Sequence, residues 1–297
     1  MGARDLQQMS SGPAHIGDDI EFIACPLCGN RDLVPILEKR GWTIGRCPAC
    51  RLAMVNPRRR NTTAIYQSDN YFNDEDYYYD YVGNKAAYQK GFRSKLDLIC
   101  RFQPRRGRLL DVGAAYGFFM EEANRRGFSS VGVELAPRAA QHARNYGEVF
   151  QVPLAGVSTE QRFSVVTFID SLEHFEDPLT GLQKAWQLLE PEGIVAVMVP
   201  NIESLFARLA GSRWHLLLPE EHLFYFSPRS VRLILDKAGF ETIHLGTGSY
   251  GRSAAEMLRV LLRGAAKPPG VVEDALRRVS LEVNLGDIFA IGRKLGD

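Results

Sequence analysis

From Arg108 onward, short apolar runs alternate with helical patterns, and this alternation restricts the possible folds more than any other feature. The runs RLLDVG, SSVGVEL, FSVVTFID and GIVAVMVPN have the length of strands, and helical patterns follow them along the chain. Such alternation is typical of a mainly parallel sheet covered by helices on both faces. The closing run GDIFAIGRKL adds one further strand. We therefore predict an α/β fold for residues 106–297.

Four of the five cysteines form two C-x-x-C pairs, Cys25 with Cys28 and Cys47 with Cys50. Two such pairs supply four thiolates to one tetrahedral metal site, and their spacing lies within the range of zinc sites. Redox-active dithiols are the alternative, but these usually open a helix, and no helical pattern follows here. Because four thiolates leave no open coordination position, we predict a structural zinc ion in a small ribbon.

Composition and patterning divide the chain into four predicted parts. These are a disordered tail (1–20), the zinc ribbon (21–57), a tyrosine-rich acidic lid with a linker helix (58–105), and the α/β domain (106–297). The net charge of +1 gives no general attraction to nucleic acid, although residues 22–60 are strongly basic. The sequence contains neither a recognisable signal peptide nor an apolar run of membrane-spanning length, so we expect a cytoplasmic protein without membrane contact.

The turn after the first strand of this domain is the candidate ligand site, because α/β sheets bind ligands at the carboxyl ends of their strands. Gly113, Ala115 and Gly117 are small enough for a ligand to approach the backbone. The dinucleotide fingerprint G-x-G-x-x-G is absent, and Asp111 suits an ammonium group better than a phosphate. Glu134 ends the second strand, where an acid can accept hydrogen bonds from ribose hydroxyls. The alternative is that Gly113 and Gly117 only shape a tight turn and that Glu134 is a solvated strand end.

Three segments, LLDVGAAYGFF, VGVELAP and FIDSLEHFEDPLTGLQKAWQLLEPEGIVAVMVPN, occur in an order that resembles the motifs of class I S-adenosylmethionine-dependent methyltransferases. The resemblance implies a Rossmann-like sheet, mainly parallel with an antiparallel last strand. It also implies that S-adenosylmethionine is the cofactor, with its methionine end near Asp111, its ribose near Glu134 and its adenine near Leu154. The predicted cofactor-binding residues are Asp111, Gly113, Ala115, Gly117, Glu134, Leu154 and Asp170.

Two Glu-His pairs are candidates for the group that removes a proton from the methyl acceptor. His174 follows the fourth strand, and His222 lies with Glu221 in the segment RWHLLLPEEHLFYFSP. This segment is similar to one in zinc-bearing sugar methyltransferases, in which a Glu-His pair serves deprotonation. Those enzymes carry a tyrosine two residues before the glutamate, where this chain has Pro219. We predict His222, Glu221 and His174 as catalytic residues, with His222 as the base. The alternative for His174 is a purely structural role.

The predicted function is transfer of a methyl group to oxygen or carbon of a small molecule, a sugar or glycosylated metabolite. Two alternatives remain: an RNA methyltransferase that uses the basic ribbon, and a catalytically silent binding protein of the same fold. The acidic segment also carries tyrosines that either face the cofactor as a lid or pack the linker on the sheet. These are tyrosines 71, 77, 78, 79 and 81.

Overall fold

The computed structural model describes residues 20–67, 81–261 and 270–295. The α-helices in these ranges are α1 (Lys85–Phe102), α2 (Phe118–Arg125), α3 (Pro137–Ala143), α4 (Pro178–Leu188), α5 (Leu205–Ala210), α6 (Pro228–Lys237), α7 (Ala254–Leu261) and α8 (Gly270–Arg278). The strands are β1 (Ile20–Glu21), β2 (Val34–Lys39), β3 (Trp42–Arg46), β4 (Ala53–Val55), β5 (Arg58–Arg59), β6 (Arg108–Val112), β7 (Ser129–Val133), β8 (Glu148–Phe150), β9 (Phe163–Ile169), β10 (Leu189–Val199), β11 (Phe224–Tyr225), β12 (Phe240–Thr247), β13 (Tyr250–Ser253), β14 (Ser280–Val283) and β15 (Ile288–Lys294).

A seven-stranded sheet forms the centre of the α/β domain, in the order β12-β15-β10-β9-β6-β7-β8. The pairs from β10 through β8 are parallel, whereas β15 runs antiparallel to both of its neighbours, β10 and β12. The predicted Rossmann-like, mainly parallel sheet is confirmed, and its last strand has the expected direction. A separate two-stranded antiparallel sheet of β13 and β14 was not predicted from the sequence.

Both faces of this sheet are buried because successive residues of a strand point to opposite sides. On one face, Leu109 and Val165 pack with residues of α1 and α2. On the other face, Leu110 and Val166 pack with residues of α4 and α6. Each fully buried aliphatic side chain contributes about 1.5–3 kcal/mol relative to an exposed one, so the continuous apolar runs hold the two helix layers to the sheet.

The cysteine-bearing N-terminal unit is joined to the α/β domain through one small sheet, in the order β11-β4-β3-β2. Its edge strand β11 comes from the segment after β10, far away in sequence. Phe224 pairs with Met54 and Tyr225 with Ala53, and the N–H of Val55 donates to the carbonyl of Leu223 at 3.0 Å. The predicted ribbon (21–57) is thus completed by two residues of the predicted α/β domain.

Successive side chains of the short run from Leu52 to Val55 point to opposite sides, as they do along any strand. Leu52 and Met54 belong to the main core beside the central sheet, while Ala53 and Val55 pack with Trp214 and the other side chains of the β10–β11 connection. All four residues of the run are fully buried. The ribbon therefore has no independent core and shares two cores with the α/β domain.

Parts of two predicted segments fall outside the described residues. The tail is described only at Ile20, which pairs with Arg59, and tyrosines 71, 77, 78 and 79 lie outside the described ranges, whereas Tyr81 lies within them. Across the described parts of the chain, no helix combines the length and apolar character needed to cross a membrane.

Because the two units share cores, we expect a core substitution in the ribbon to destabilise the whole protein. Ile44 is fully buried against the β10–β11 connection, so Ile44→Ala should lower the free energy of unfolding by about 2–5 kcal/mol in a single thermal transition. Val34 on the same hairpin is 53% exposed, and Val34→Ala should change it by less than about 1 kcal/mol. Two separate transitions, with only the first shifted by Ile44→Ala, would contradict a shared core.

Candidate functional site

The turn between β6 and α2 depends on glycine at two positions. Gly113 and Gly117 have φ values of +83° and +77°, which glycine adopts most readily. A Cβ atom at Gly113 would lie 2.7 Å from Cβ of Ser171, and one at Gly117 would lie 2.8 Å from Cα of Ala143. Larger residues would therefore be strained by both backbone angle and space, and the turn keeps its backbone accessible at the carboxyl end of β6.

Asp111 is a buried carboxylate at this turn, with 3% of its surface exposed. Its Oδ1 accepts a hydrogen bond from the hydroxyl of Thr167 at 2.7 Å. Burial raises the pKa of Asp111 to about 7; the hydrogen bond from Thr167 opposes the rise, and the nearby Glu134 adds to it. A cationic ligand group beside Asp111 would compensate the cost of burying this charge.

Glu134 ends β7 and bridges two backbone segments with its carboxylate. Its Oε2 accepts the N–H of Ala115 at 2.7 Å, and its Oε1 accepts the N–H of Ala136 at 2.8 Å. Burial raises the pKa of Glu134, and the backbone hydrogen bonds oppose this rise. Each carboxylate oxygen retains a lone pair, so Glu134 can still accept hydrogen bonds from a ligand.

One cavity of about 590 Å³ connects this turn to the predicted catalytic residues, a size typical of small-molecule sites. Six of the seven predicted cofactor-binding residues line it: Asp111, Gly113, Ala115, Glu134, Leu154 and Asp170. Gly117 lies outside the lining and instead precedes α2 as its N-cap. All three predicted catalytic residues, His174, Glu221 and His222, line the same cavity.

Tyr81 is the member of the predicted tyrosine lid that the structure describes, and it lies on the cavity wall. Its ring stacks on Phe118, with centroids 5.4 Å apart, and on Tyr88, with centroids 4.6 Å apart. Tyr81 thus lines the cavity and packs the linker on α1 and α2 at the same time.

His174 and His222 meet edge to face, with ring centroids 4.8 Å apart. His174 ends a short 3-10 helix after β9, and its Nδ1 lies 2.8 Å from the hydroxyl of Tyr66 and 3.0 Å from the carbonyl oxygen of Glu221. The Nδ1–H of His222 donates to the carbonyl of Leu216 at 2.9 Å. Because a carbonyl only accepts, this bond sets the tautomer of His222 and leaves its Nε2 unprotonated in the neutral ring.

Burial keeps both rings neutral near pH 7. It lowers the pKa of His174 to about 4, although hydrogen bonds to the backbone of Glu221 and Asp170 oppose this shift. It lowers the pKa of His222 well below its usual range, and the neighbouring His174 lowers it further. Glu173 is also buried, and burial together with Asp170 raises the pKa of its carboxyl well above the ordinary value. An unprotonated imidazole on the wall of a cavity can accept a proton from a bound molecule.

Two polar residues of this cavity, Lys95 and Tyr250, were missed by sequence reasoning. The hydroxyl of Tyr250 donates to Oδ1 of Asp170 at 2.7 Å, and the ammonium of Lys95 donates to the carbonyl of Ser249 at 2.5 Å. Burial lowers the pKa of Lys95 to about 8, and Asp170 opposes this shift. These residues come from α1 and β13, and no motif marks them, so only their meeting in space reveals them.

The four predicted metal-binding cysteines come together in one cluster. Sγ of Cys25 lies 3.4 Å from Sγ of Cys50, Sγ of Cys28 lies 3.4 Å from Sγ of Cys47, and all four sulfurs lie within 4.8 Å of one another. A zinc ion with bonds of about 2.3 Å to a tetrahedron of sulfurs separates them by about 3.8 Å. The residues present therefore fit a four-thiolate metal site.

Comparison with known proteins agrees with this geometry. A family model described as a methyltransferase domain matches residues 86–245, just over half of the chain. Among curated proteins, the ubiquinone biosynthesis O-methyltransferase of Cereibacter sphaeroides is 27% identical over 150 residues, which cover 46% of this chain and 61% of that protein. The corresponding protein of Alkalilimnicola ehrlichii is 31% identical over 125 residues, which cover 38% and 51%. The matched regions therefore span about half to three fifths of these relatives.

Solved structures share the fold at low sequence identity. The 1,6-didemethyltoxoflavin-N1-methyltransferase of Burkholderia thailandensis, solved with 1,6-didemethyltoxoflavin and S-adenosylhomocysteine, superposes with a TM-score of 0.54 at 16% identity. The alignment covers 88% of this chain and 99% of that one. The family match, the sheet order and the glycine turn agree, and the chain belongs to the methyltransferase-domain family.

Proposed function

We propose that this enzyme methylates oxygen or carbon of a small, hydroxyl-bearing acceptor, a sugar or glycosylated metabolite. The observation that carries the proposal is the single cavity in which the acidic turn after β6 continues to two buried, neutral imidazoles. Such a cavity can hold a cationic methyl donor at one end and an acceptor that must lose a proton at the other.

The donor end is assigned to S-adenosylmethionine through the charges of its walls. Asp111 would hold the ammonium of the methionine moiety, Glu134 would accept hydrogen bonds from the ribose hydroxyls, and Leu154 would contact the adenine. Gly113 and Ala115 would offer their backbone. The remaining predicted residues are Gly117, which shapes the turn, and Asp170, which lies where the donor end meets the acceptor end.

At the acceptor end, His222 is the proposed base. The sulfonium of the donor supplies an electrophilic methyl group. Nε2 of His222 would accept the proton that the acceptor loses when it takes the methyl group, and the donor would leave as a neutral thioether. Glu221 acts through its carbonyl, which accepts the hydroxyl of Tyr66 at 3.1 Å and so ties the two histidine-bearing segments together.

The ribbon is proposed to hold one structural zinc ion through its four cysteines. An acceptor as large as RNA is not favoured, because one side of the ribbon's small sheet packs with the β10–β11 connection and the other faces the main core. The ribbon then acts as a support for the acceptor end of the cavity.

Replacing the acid after β6 should weaken cofactor binding. Asp111→Asn removes a charge-assisted hydrogen bond worth about 1.5–3 kcal/mol, so calorimetry should find the affinity for S-adenosylhomocysteine lowered by about tenfold or more. Glu134→Gln should act in the same direction. Asp236 is exposed on α6, and Asp236→Asn serves as the matched control with unchanged affinity.

This binding should also depend on pH in the direction that the pKa of Asp111 requires. The pKa is raised to about 7, so acidification below pH 7 protonates the carboxylate and removes its attraction for the ammonium. Affinity should fall by up to about tenfold per pH unit, and Asp111→Asn should show a much flatter profile, with a residual slope from Glu134. Unchanged affinity in both Asp111→Asn and Glu134→Gln would refute the assignment of the donor end. Equal pH profiles for the wild type and Asp111→Asn would refute it as well.

The base is tested by turnover. Nucleotide sugars, polyketide glycosides, phenols and RNA are screened for formation of S-adenosylhomocysteine and for product mass, and turnover with a glycosylated compound is expected. With that acceptor, His222→Ala should lower kcat by about 10²–10⁴-fold while the Kd for S-adenosylhomocysteine stays constant. His215 on the same segment is exposed beside Phe206, and His215→Ala is the matched control. A large loss in His174→Ala alone would move the role of base to His174.

The zinc content of the protein tests the metal assignment. Freshly purified protein should contain about one zinc ion per chain by elemental analysis, and Cys28→Ser should lower this content strongly. Cys100 lies in α1 away from the cluster, so Cys100→Ser should retain the metal. Protein without zinc, or equal zinc loss in both variants, would overturn the four-cysteine site.

A further inference from the structure

Backbone hydrogen bonds hold the segment that carries His222 in a compact turn. The N–H of Leu217 donates to the carbonyl of Trp214 at 3.1 Å, the N–H of Leu218 to that of Leu216 at 3.0 Å, and the N–H of His222 to that of Leu218 at 2.7 Å. The carbonyl of Leu216 also accepts the Nδ1–H of His222. The orientation of the imidazole therefore depends on the conformation of residues 214–218.

Lys39 of the ribbon holds this turn from outside the cavity. The ammonium of Lys39 donates to the carbonyl of Leu217 at 2.7 Å and to that of Trp214 at 3.3 Å. These two carbonyls flank that of Leu216. Lys39 and His222 thus bind carbonyls of the same four-residue turn, the first from the ribbon and the second from the cavity.

The local structure of the ribbon explains why Lys39 reaches this position. Lys39 is the last residue of β2 and pairs with Trp42, the first residue of β3. The two intervening residues, Arg40 and Gly41, both have positive φ values, +52° and +80°, which is the conformation of a tight two-residue hairpin turn. This turn fixes the register of the hairpin. The buried Trp42 and Ile44 then pack it on Trp214.

A second set of contacts ties the end of the same segment to the first histidine. The carbonyl of Leu223 accepts the N–H of Val55 at 3.0 Å, and the N–H of Leu223 donates to the carbonyl of Glu173 at 2.9 Å. Glu173 directly precedes His174. The segment 214–223 is therefore held by Lys39 at its start and by β4 at its end, and both contacts come from the ribbon.

We propose that Lys39 is a positioning residue for methyl transfer: its ammonium holds the turn 214–217 so that His222 presents its Nε2 to the acceptor. This proposal rests on the proposed role of His222 as base. It gives the ribbon a part in the reaction although none of its cysteines lines the cavity. Lys39 contacts neither donor nor acceptor and acts through the backbone carbonyls of the turn.

The test compares three variants of the full-length, zinc-loaded enzyme. Lys39→Met should lower kcat by about tenfold or more, with the Kd for S-adenosylhomocysteine within about twofold of the wild-type value, because the donor end of the cavity is untouched. Lys39→Arg retains a cation that can donate to the same carbonyls and should recover most of the lost kcat. Arg31→Met is the matched control and should keep the wild-type kcat, because Arg31 belongs to the same ribbon and its side chain is exposed.

Hydrogen exchange separates positioning from general destabilisation. In Lys39→Met, amide exchange should accelerate in residues 214–223 while the melting temperature and exchange in β6 and β9 stay close to the wild-type values. Unchanged kcat in Lys39→Met, with a large loss in His222→Ala, would overturn this inference and leave the proposed base standing. Unchanged kcat in both variants would overturn the proposed base itself. Lys39→Met could instead lose kcat without recovery in Lys39→Arg and with faster exchange throughout the protein. That result would contradict the positioning role and show that Lys39 only stabilises the fold.

Discussion

The pairing of β11 with β4 joins two parts of the chain that lie about 170 residues apart, and the acceptor end of the cavity depends on it. Two residues of the α/β domain complete the small sheet of the ribbon, and the buried run from Leu52 to Val55 packs into cores on both sides. A slip by one residue would turn each side chain of this run to the opposite core, where the neighbouring side chains leave room for a different residue. This constraint fixes the position of the β10–β11 connection on the wall of the cavity.

The cavity itself combines two electrostatic environments. At the donor end, buried carboxylates with raised pKa values, Asp111 and Glu134, remain costly to ionise until a cation arrives. At the acceptor end, burial keeps His174 and His222 neutral. The same physical cause, removal from water, disfavours the charged form of all four groups, so the carboxylates gain from a cationic ligand and the imidazoles stay unprotonated. A reaction that consumes a sulfonium and releases a proton suits this division.

Much of the donor end could be predicted from local sequence, because a tight turn and a strand end are short-range features. Gly113 and Gly117 mark the turn through backbone angles that other residues resist, and Glu134 follows from the length of one strand–helix–strand unit. The sheet was predictable for the same reason, since continuous apolar runs report burial on two faces. The cysteine pairs identified their own cluster, because two C-x-x-C turns carry their geometry with them.

The acceptor end was decided by tertiary structure. Tyr66 lines the cavity from the 3-10 helix Thr62–Gln67, and Tyr250 lines it from β13. Lys39 acts from β2, outside the cavity, and each of the three is an ordinary polar residue in its local sequence. Their roles arise from contacts that span 80 to 178 residues, and no periodicity or short motif encodes such contacts. The sequence alone determined the fold class, the donor turn and the four thiolates. Only packing of the ribbon on the β10–β11 connection determined which groups surround His222, because that packing depends on the complementarity of surfaces distant in the chain.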